Sequence, residues 1–307
     1  MKTSARLSRR SFLARAASTA AVASFAREGL ADGDPKQTAF KIAAGQVRGL
    51  AVNPQGLAVI AADHKLLFYN LDGSLLRELA TAQPVRALCF DTQGRLFAAF
   101  KDQVASLSDS DGWTTLGSPL GRESALTGLA VADDGTIFAA DSGQRLIWRM
   151  DSTGAVKGQI KASESGFSVS RAFFPVHWRN GALIAADPGR HQIHRFSVEG
   201  KLLTTWGQRS REVEGFGGCC NPVSFAALAD GTIVTAERGQ PRVKAFSAQG
   251  EFMRLLAGPE EFAASLQAAH RESDDVFGCQ GGLLDVAEAA GRIVVLDRTT
   301  RELRVLA

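Results

Sequence analysis

The chain has 307 residues, 45% of them hydrophobic and 22% charged, with 31 glycines and a formal net charge of +3. That apolar content is too high for a disordered chain and supports one sizeable core. The excess charge belongs to residues 1–31, which hold six basic residues and one acid; beyond them 29 basic residues face 31 acids, so nothing basic is left to argue for nucleic acid as a partner.

The leading segment reads "SARLSRRSFLARAASTAAVASFAREGLA", a basic start followed by a weakly apolar, Ala-rich run from Phe12 to Phe25. That run is too short to be retained as a membrane span. Small residues around Ala23, Ala26 and Ala31 offer cleavage positions. The stretch Ser8-Arg9-Arg10-Ser11-Phe12-Leu13 resembles the twin-arginine export motif, with Ala14 where that motif often has Lys. The resemblance implies that residues 1–31 are a removed signal, that Arg9 and Arg10 are read by the twin-arginine (Tat) export machinery, and that the protein crosses already folded to a periplasmic or secreted location. Such a destination is oxidising, so disulfides can form there. No later segment is long and apolar enough to span a membrane.

From residue 39 onward the sequence breaks into short alternating apolar runs joined by glycine turns. "AFKIA" (39–43) predicts a strand with no neighbour of its own. Six similar units follow: "GLAVNPQGLAVIAAD" (49–63), "ALCFDTQGRLFAAF" (87–100), "GLAVADDGTIFAAD" (128–141), "FPVHWRNGALIAAD" (174–187), "SFAALADGTIVTAE" (224–237) and "LDVAEAAGRIVVLD" (284–297). Their turn glycines, Gly56, Gly94, Gly135, Gly181, Gly231 and Gly291, are 38, 41, 46, 50 and 60 residues apart. Most units go on to a third strand and a second turn, as in "RVKAFS-AQG-EFMRLLA". Period-two alternation with Asp-Gly-type turns predicts four-stranded antiparallel meanders. Six of them predict an all-β, six-bladed β-propeller over residues 39–307. The last unit supplies three strands, so the strand at 39–43 is expected to complete it and close the ring.

Between the fifth and sixth units lies an insertion near 258–278. Its "GPEEFAASLQAAHRE" (258–272) predicts a surface helix with Pro259 in the first turn and Phe262 and Leu266 on one face.

The runs "DGTIFAADSG" (134–143) and "DGTIVTAERG" (230–239) with "RVKAFSAQGEF" (242–252) resemble NHL repeats, as exported bacteria-type proteins carry them. The likeness spans roughly 45–307 and is weakest in units two and six, where Phe100-Lys101 replaces Asp-Ser. It implies the fold; the family's functions range from scaffolds to enzymes. The architecture also resembles gluconolactonase-type propellers, which implies an alternative activity, metal-dependent hydrolysis with calcium or zinc at the axis.

Two of the four cysteines are adjacent, in "GFGGCCNP". Aligning units five and six on their turn glycines places Gly218-Cys219 over Gly278-Cys279, in the loop that leads into the innermost strand near the channel mouth. Three readings of Cys219, Cys220 and Cys279 stand open: a structural disulfide from Cys219 or Cys220 to Cys279 stapling the insertion, a soft-metal site holding copper or an iron–sulfur centre, or inert thiols or a vicinal disulfide. They predict respectively a protein-interaction scaffold, a metal or redox binding module, or neither. Cys89, within an innermost strand, reads as a small core residue.

Other candidates are ligand-binding rather than catalytic. Arg48 and Arg86 are equivalent by the 38-residue offset and either form a positive spot for an anionic ligand or pair with carboxylates on a neighbouring blade. His177 sits on an innermost strand, as a core histidine or a ligand. Asn221, with Glu123, stands at the start of an innermost strand. Asp285 occupies a place that is Leu50, Leu88, Leu129 and Phe225 elsewhere, either facing the channel or marking a one-residue register slip. His191 reads as loop surface and His194 as a strand residue. The expected partner is a periplasmic protein or a small molecule.

Overall fold

The computed structural model describes residues 38–108, 110–272 and 284–306. The proposed export segment, the C-terminal part of the insertion and Cys279 lie outside the described residues.

Six four-stranded antiparallel sheets make up the described chain. The first five run inner to outer in chain order, and the inner strands of all six are Val47–Val52, Ala87–Phe90, Leu126–Val131, Val176–Arg179, Ser224–Ala227 and Leu284–Ala289. Every inner strand neighbours the next, and that of blade 6 returns to that of blade 1, closing a six-bladed β-propeller. Blade 6 consists of Leu284–Ala289, Arg292–Asp297, Glu302–Leu306 and the N-terminal strand Thr38–Lys41. In it Thr38 pairs with Val305 and Phe40 with Leu303.

Alternation explains why both faces of each blade are apolar. In the second strand of blade 1, Ala58, Ile60 and Ala62 pack into the cluster shared with blade 6, while Val59 and Ala61 pack into the cluster shared with blade 2. Six such clusters fill the six spaces between neighbouring blades. Because a second strand has sheet on both sides, it takes small residues and reads as an apolar run, Ile-Phe-Ala-Ala or Leu-Ile-Ala-Ala, instead of alternating with polar ones.

The acid closing that run is structural. Asp141 is fully buried; its Oδ1 accepts the amides of Ala125, Gly143 and Gln144, and its Oδ2 accepts Trp148 Nε1. Asp63, Asp187, Glu237 and Asp297 repeat the arrangement with their own loops. Each one fastens the top of its blade, on the face where the next inner strand is approached. Gly143 is required there, since a Cβ would lie 2.0 Å from the Glu123 carbonyl oxygen.

Two expectations need adjusting. The helix runs Ala263–Glu272, not from residue 258; Glu261 turns back to accept the Gly258 amide, and Phe262 is buried before the helix starts. Ser265 donates to Asp297, which sets the helix against blade 6. Asp285 pairs with Leu296, the residue before the closing acid, as Gly128 and Ser224 do in blades 3 and 5. The position of Leu129 and Phe225 belongs to Val286, so the register slips by one. The cause is turn length. Five residues separate the paired ends of the first two strands in blades 2, 3 and 5, but only Ala290 and Gly291 do so in blade 6. Both have positive φ, the type of two-residue hairpin that matches strand twist. Counting from the turn glycine therefore misplaces the inner strand.

Candidate functional site

The loop 207–222 leads from blade 4 into the inner strand of blade 5, and a buried polar network in blade 5 holds it. Glu237 accepts the Gly217 amide through Oε1 and Arg242 Nε through Oε2 at 2.6 Å. Lys244, fully buried, donates to the carbonyls of Gly215 at 2.6 Å and Val213 at 3.0 Å, and lies 3.3 Å from Glu237. Burial pushes its pKa down to about 8, with Glu237 opposing that shift. Its ammonium also sits 4.8 Å from the Phe216 ring centroid. The network saturates the lysine, so its task is to shape the loop.

Asn221, 1% exposed, completes the shape. Its Nδ2 donates to the carbonyls of Gly217 and Arg238, its Oδ1 accepts the Arg238 amide, and its own amide donates to the Pro188 carbonyl. Every polar group of this side chain is engaged by backbone. His191, expected at the surface, is buried with Nε2 3.1 Å from the Gly218 carbonyl. It has positive φ, which tucks the ring beneath the loop.

The adjacent cysteines consequently part company. Cys220 turns into the apolar cluster between blades 5 and 6. Cys219 is exposed, and Arg238, whose backbone Asn221 clamps, donates Nη2 to Cys219 Sγ at 3.0 Å. A guanidinium at that distance favours the thiolate over the thiol. No disulfide joins two cysteines among the described residues, nor do three His, Cys, Asp or Glu side chains among them converge as a metal set would. Cys89 is half-buried in blade 2, where burial pushes its thiol far up and leaves it unreactive.

His177 packs between blades 4 and 5, its ring centroid 5.1 Å from that of Phe225. Burial, with Arg179 assisting, pushes its pKa down to about 4. His194, likewise buried, places Nδ1 2.8 Å from Thr205 Oγ1. Asp285 is gripped by Arg298 through two bonds of 2.6 and 2.7 Å. Arg48 stands on the inner strand of blade 1 and Arg86 directly before that of blade 2, and neither forms an ion pair among the described residues. Sequence reasoning missed Arg298, Arg238 and Lys244. The first two share one signal, a basic residue directly after the closing acid where blade 3 has Ser142.

This fold places the chain among the six-bladed β-propellers. Its likeness extends to a catalytically inactive virginiamycin B lyase from Staphylococcus aureus with quinupristin, at 13% identity over 89% of this chain and 99% of that one, TM-score 0.61. A gluconolactonase from Xanthomonas campestris shares 16% identity over 86% and 87%, TM-score 0.60. A structural-genomics protein from Bacteroides thetaiotaomicron shares 12% over 88% and 72%, TM-score 0.62. At such identities the shared property is the fold. No protein-family model and no curated protein matches the chain.

Proposed function

We propose that the protein is an exported NHL-type binding module, periplasmic or secreted, with a reactive thiolate at Cys219 on the face where the inner strands are approached. The reading rests on the Arg238 guanidinium 3.0 Å from Cys219 Sγ, on a loop that Asn221, Glu237 and Lys244 hold rigid. Among the thiol chemistries, redox exchange fits this arrangement better than copper or an iron–sulfur centre. A cation beside the sulfur opposes a second cation, and Cys220 is turned into the apolar cluster. Hydrolysis of the gluconolactonase kind finds less support: Asp285 is neutralised by Arg298, and Asn221 is spent on backbone.

Metal content and alkylation rate test the reading together, on protein purified from its native compartment. Cys219 should react with iodoacetamide at neutral pH several-fold faster than a free cysteine, and Arg238→Gln should slow it. Stoichiometric copper or iron that disappears in Cys219→Ser would replace the redox reading with a metal centre.

A further inference from the structure

A second group of polar side chains lies on the same face, on blades 6, 1, 2 and 3, and is independent of the thiol. Arg48 is the bulged residue of its inner strand, where the pairing shifts between Val47 and Gly49. Bulges at rims re-aim side chains. Thr127 occupies the matching bulge of blade 3, between Leu126 and Gly128. Arg86 directly precedes the inner strand of blade 2, its amide donating to the Ala99 carbonyl. The backbones are close: a Cβ on Gly49 would lie 3.8 Å from the Arg86 carbonyl oxygen. Arg298 leans in from blade 6, held by Asp285.

The charges here do not cancel. Three guanidiniums face two carboxylates, Asp285 and Asp63. Asp285 is committed to Arg298, and Asp63 spends both oxygens on the amides of Gly45 and Gln46. Among the described residues, neither Arg48 nor Arg86 has an ion pair or a side-chain hydrogen bond, and Arg48 Nε and Thr127 Oγ1 are buried without a partner. Burial, Arg86 and Arg298 all weigh against the charged form of Arg48, with Asp63 the opposing influence. Buried polar atoms ordinarily have partners, and like charges gather where an opposite charge is to be bound.

The geometry points to a binding site for a small molecule bearing a carboxylate or phosphate, received by Arg48 and Arg86, with Arg298 and Thr127 at its edges. The planar guanidinium fork matches either group. A small ligand is required because Arg48 is half-buried, with its Nε out of solvent.

Thermal unfolding of the full chain, in graded inorganic phosphate or succinate with ionic strength held constant by sodium chloride, tests the site. A ligand that binds only the folded state raises the Tm with concentration. We expect a saturable rise with at least one of the two anions, and an apparent affinity at least about tenfold weaker in Arg48→Gln and in Arg86→Gln. Arg254→Gln, on the outer strand of blade 5, should leave the response unchanged. Response to phosphate alone marks a phosphorylated ligand; response to succinate alone marks a carboxylate. Arg86 is exposed, so its variant carries the comparison even if Arg48→Gln folds poorly. The proposal fails if neither anion gives a saturable rise when its concentration is taken well above the millimolar range. It fails equally if the rise persists in Arg86→Gln.

Discussion

Burial between blades 4 and 5 holds the His177 imidazole neutral, and that makes stability depend on acid. The unfolded chain takes up its proton below about 6.5, whereas the folded one does so only below about 4. Stability from this residue is therefore present above the unfolded value and is lost as pH falls from 6.5 towards 4. By pH 5 the loss amounts to about 2 kcal/mol. Unfolding free energies from urea titrations at pH 7 and pH 5 should show a smaller drop in His177→Gln by about that amount; an equal drop would assign the acid sensitivity to other groups. Lys244 works at the other end of the scale. Its folded pKa of about 8 lies below the unfolded 10.5, so its contribution becomes more favourable as pH rises through that window. Lys244→Met would leave the Gly215 and Val213 carbonyls without their donor, at a cost of about 2–3 kcal/mol at pH 7. A neutral outcome in urea unfolding would mean that Glu237, Arg242 and Asn221 hold the loop without it.

At the scale of the element, the closing acid decides how each blade top is tied. Asp141→Ala removes the acceptor of three amides and an indole N–H at a fully buried site, and should cost about 3 kcal/mol. Asp63→Ala, with its side chain near solvent, should cost clearly less; equal losses would show that burial is not what gives the tie its strength. These acids were legible as letters, the recurring Ala-Ala-Asp, but their distant partners were not, because the donating amides of the preceding loop lie 16 to 19 residues earlier in the chain. The meanders and their order were readable from alternation and Gly turns, since both are local. Register was readable only where turns had equal length, and the two-residue hairpin at Ala290-Gly291 defeated it at Asp285. The site was half legible. Adjacent cysteines announced themselves, whereas Arg238 and Arg298 gained meaning only once the sheet brought them over Cys219 and Asp285.

The ring as a whole depends on one short strand. Thr38–Lys41 supplies the fourth strand of blade 6, so the first described residues pair with the last. Ile42 donates its backbone amide to the Arg301 carbonyl at 2.7 Å and is buried in the cluster joining blades 6 and 1. Phe40 packs against Tyr69 of blade 1 at 5.3 Å between centroids. Burying two such apolar side chains stabilises by about 3–4 kcal/mol together, which for a propeller of this size corresponds to roughly 10 °C in Tm. A protein lacking the residues up to 43 should therefore melt about 10 °C lower. It should also associate, because Glu302–Leu306 becomes an unprotected edge. Pairing, not connectivity, is the cause. Residues 38–44 moved behind residue 307 on a short Gly/Ser linker can fold back antiparallel onto the same strand and should restore most of the loss. Unchanged melting in the truncated protein would mean that packing between blade faces closes the ring without the strand. Melting that is lowered and not rescued by the moved strand would place the stabilisation in the 44–46 loop and its bonds to Asp63.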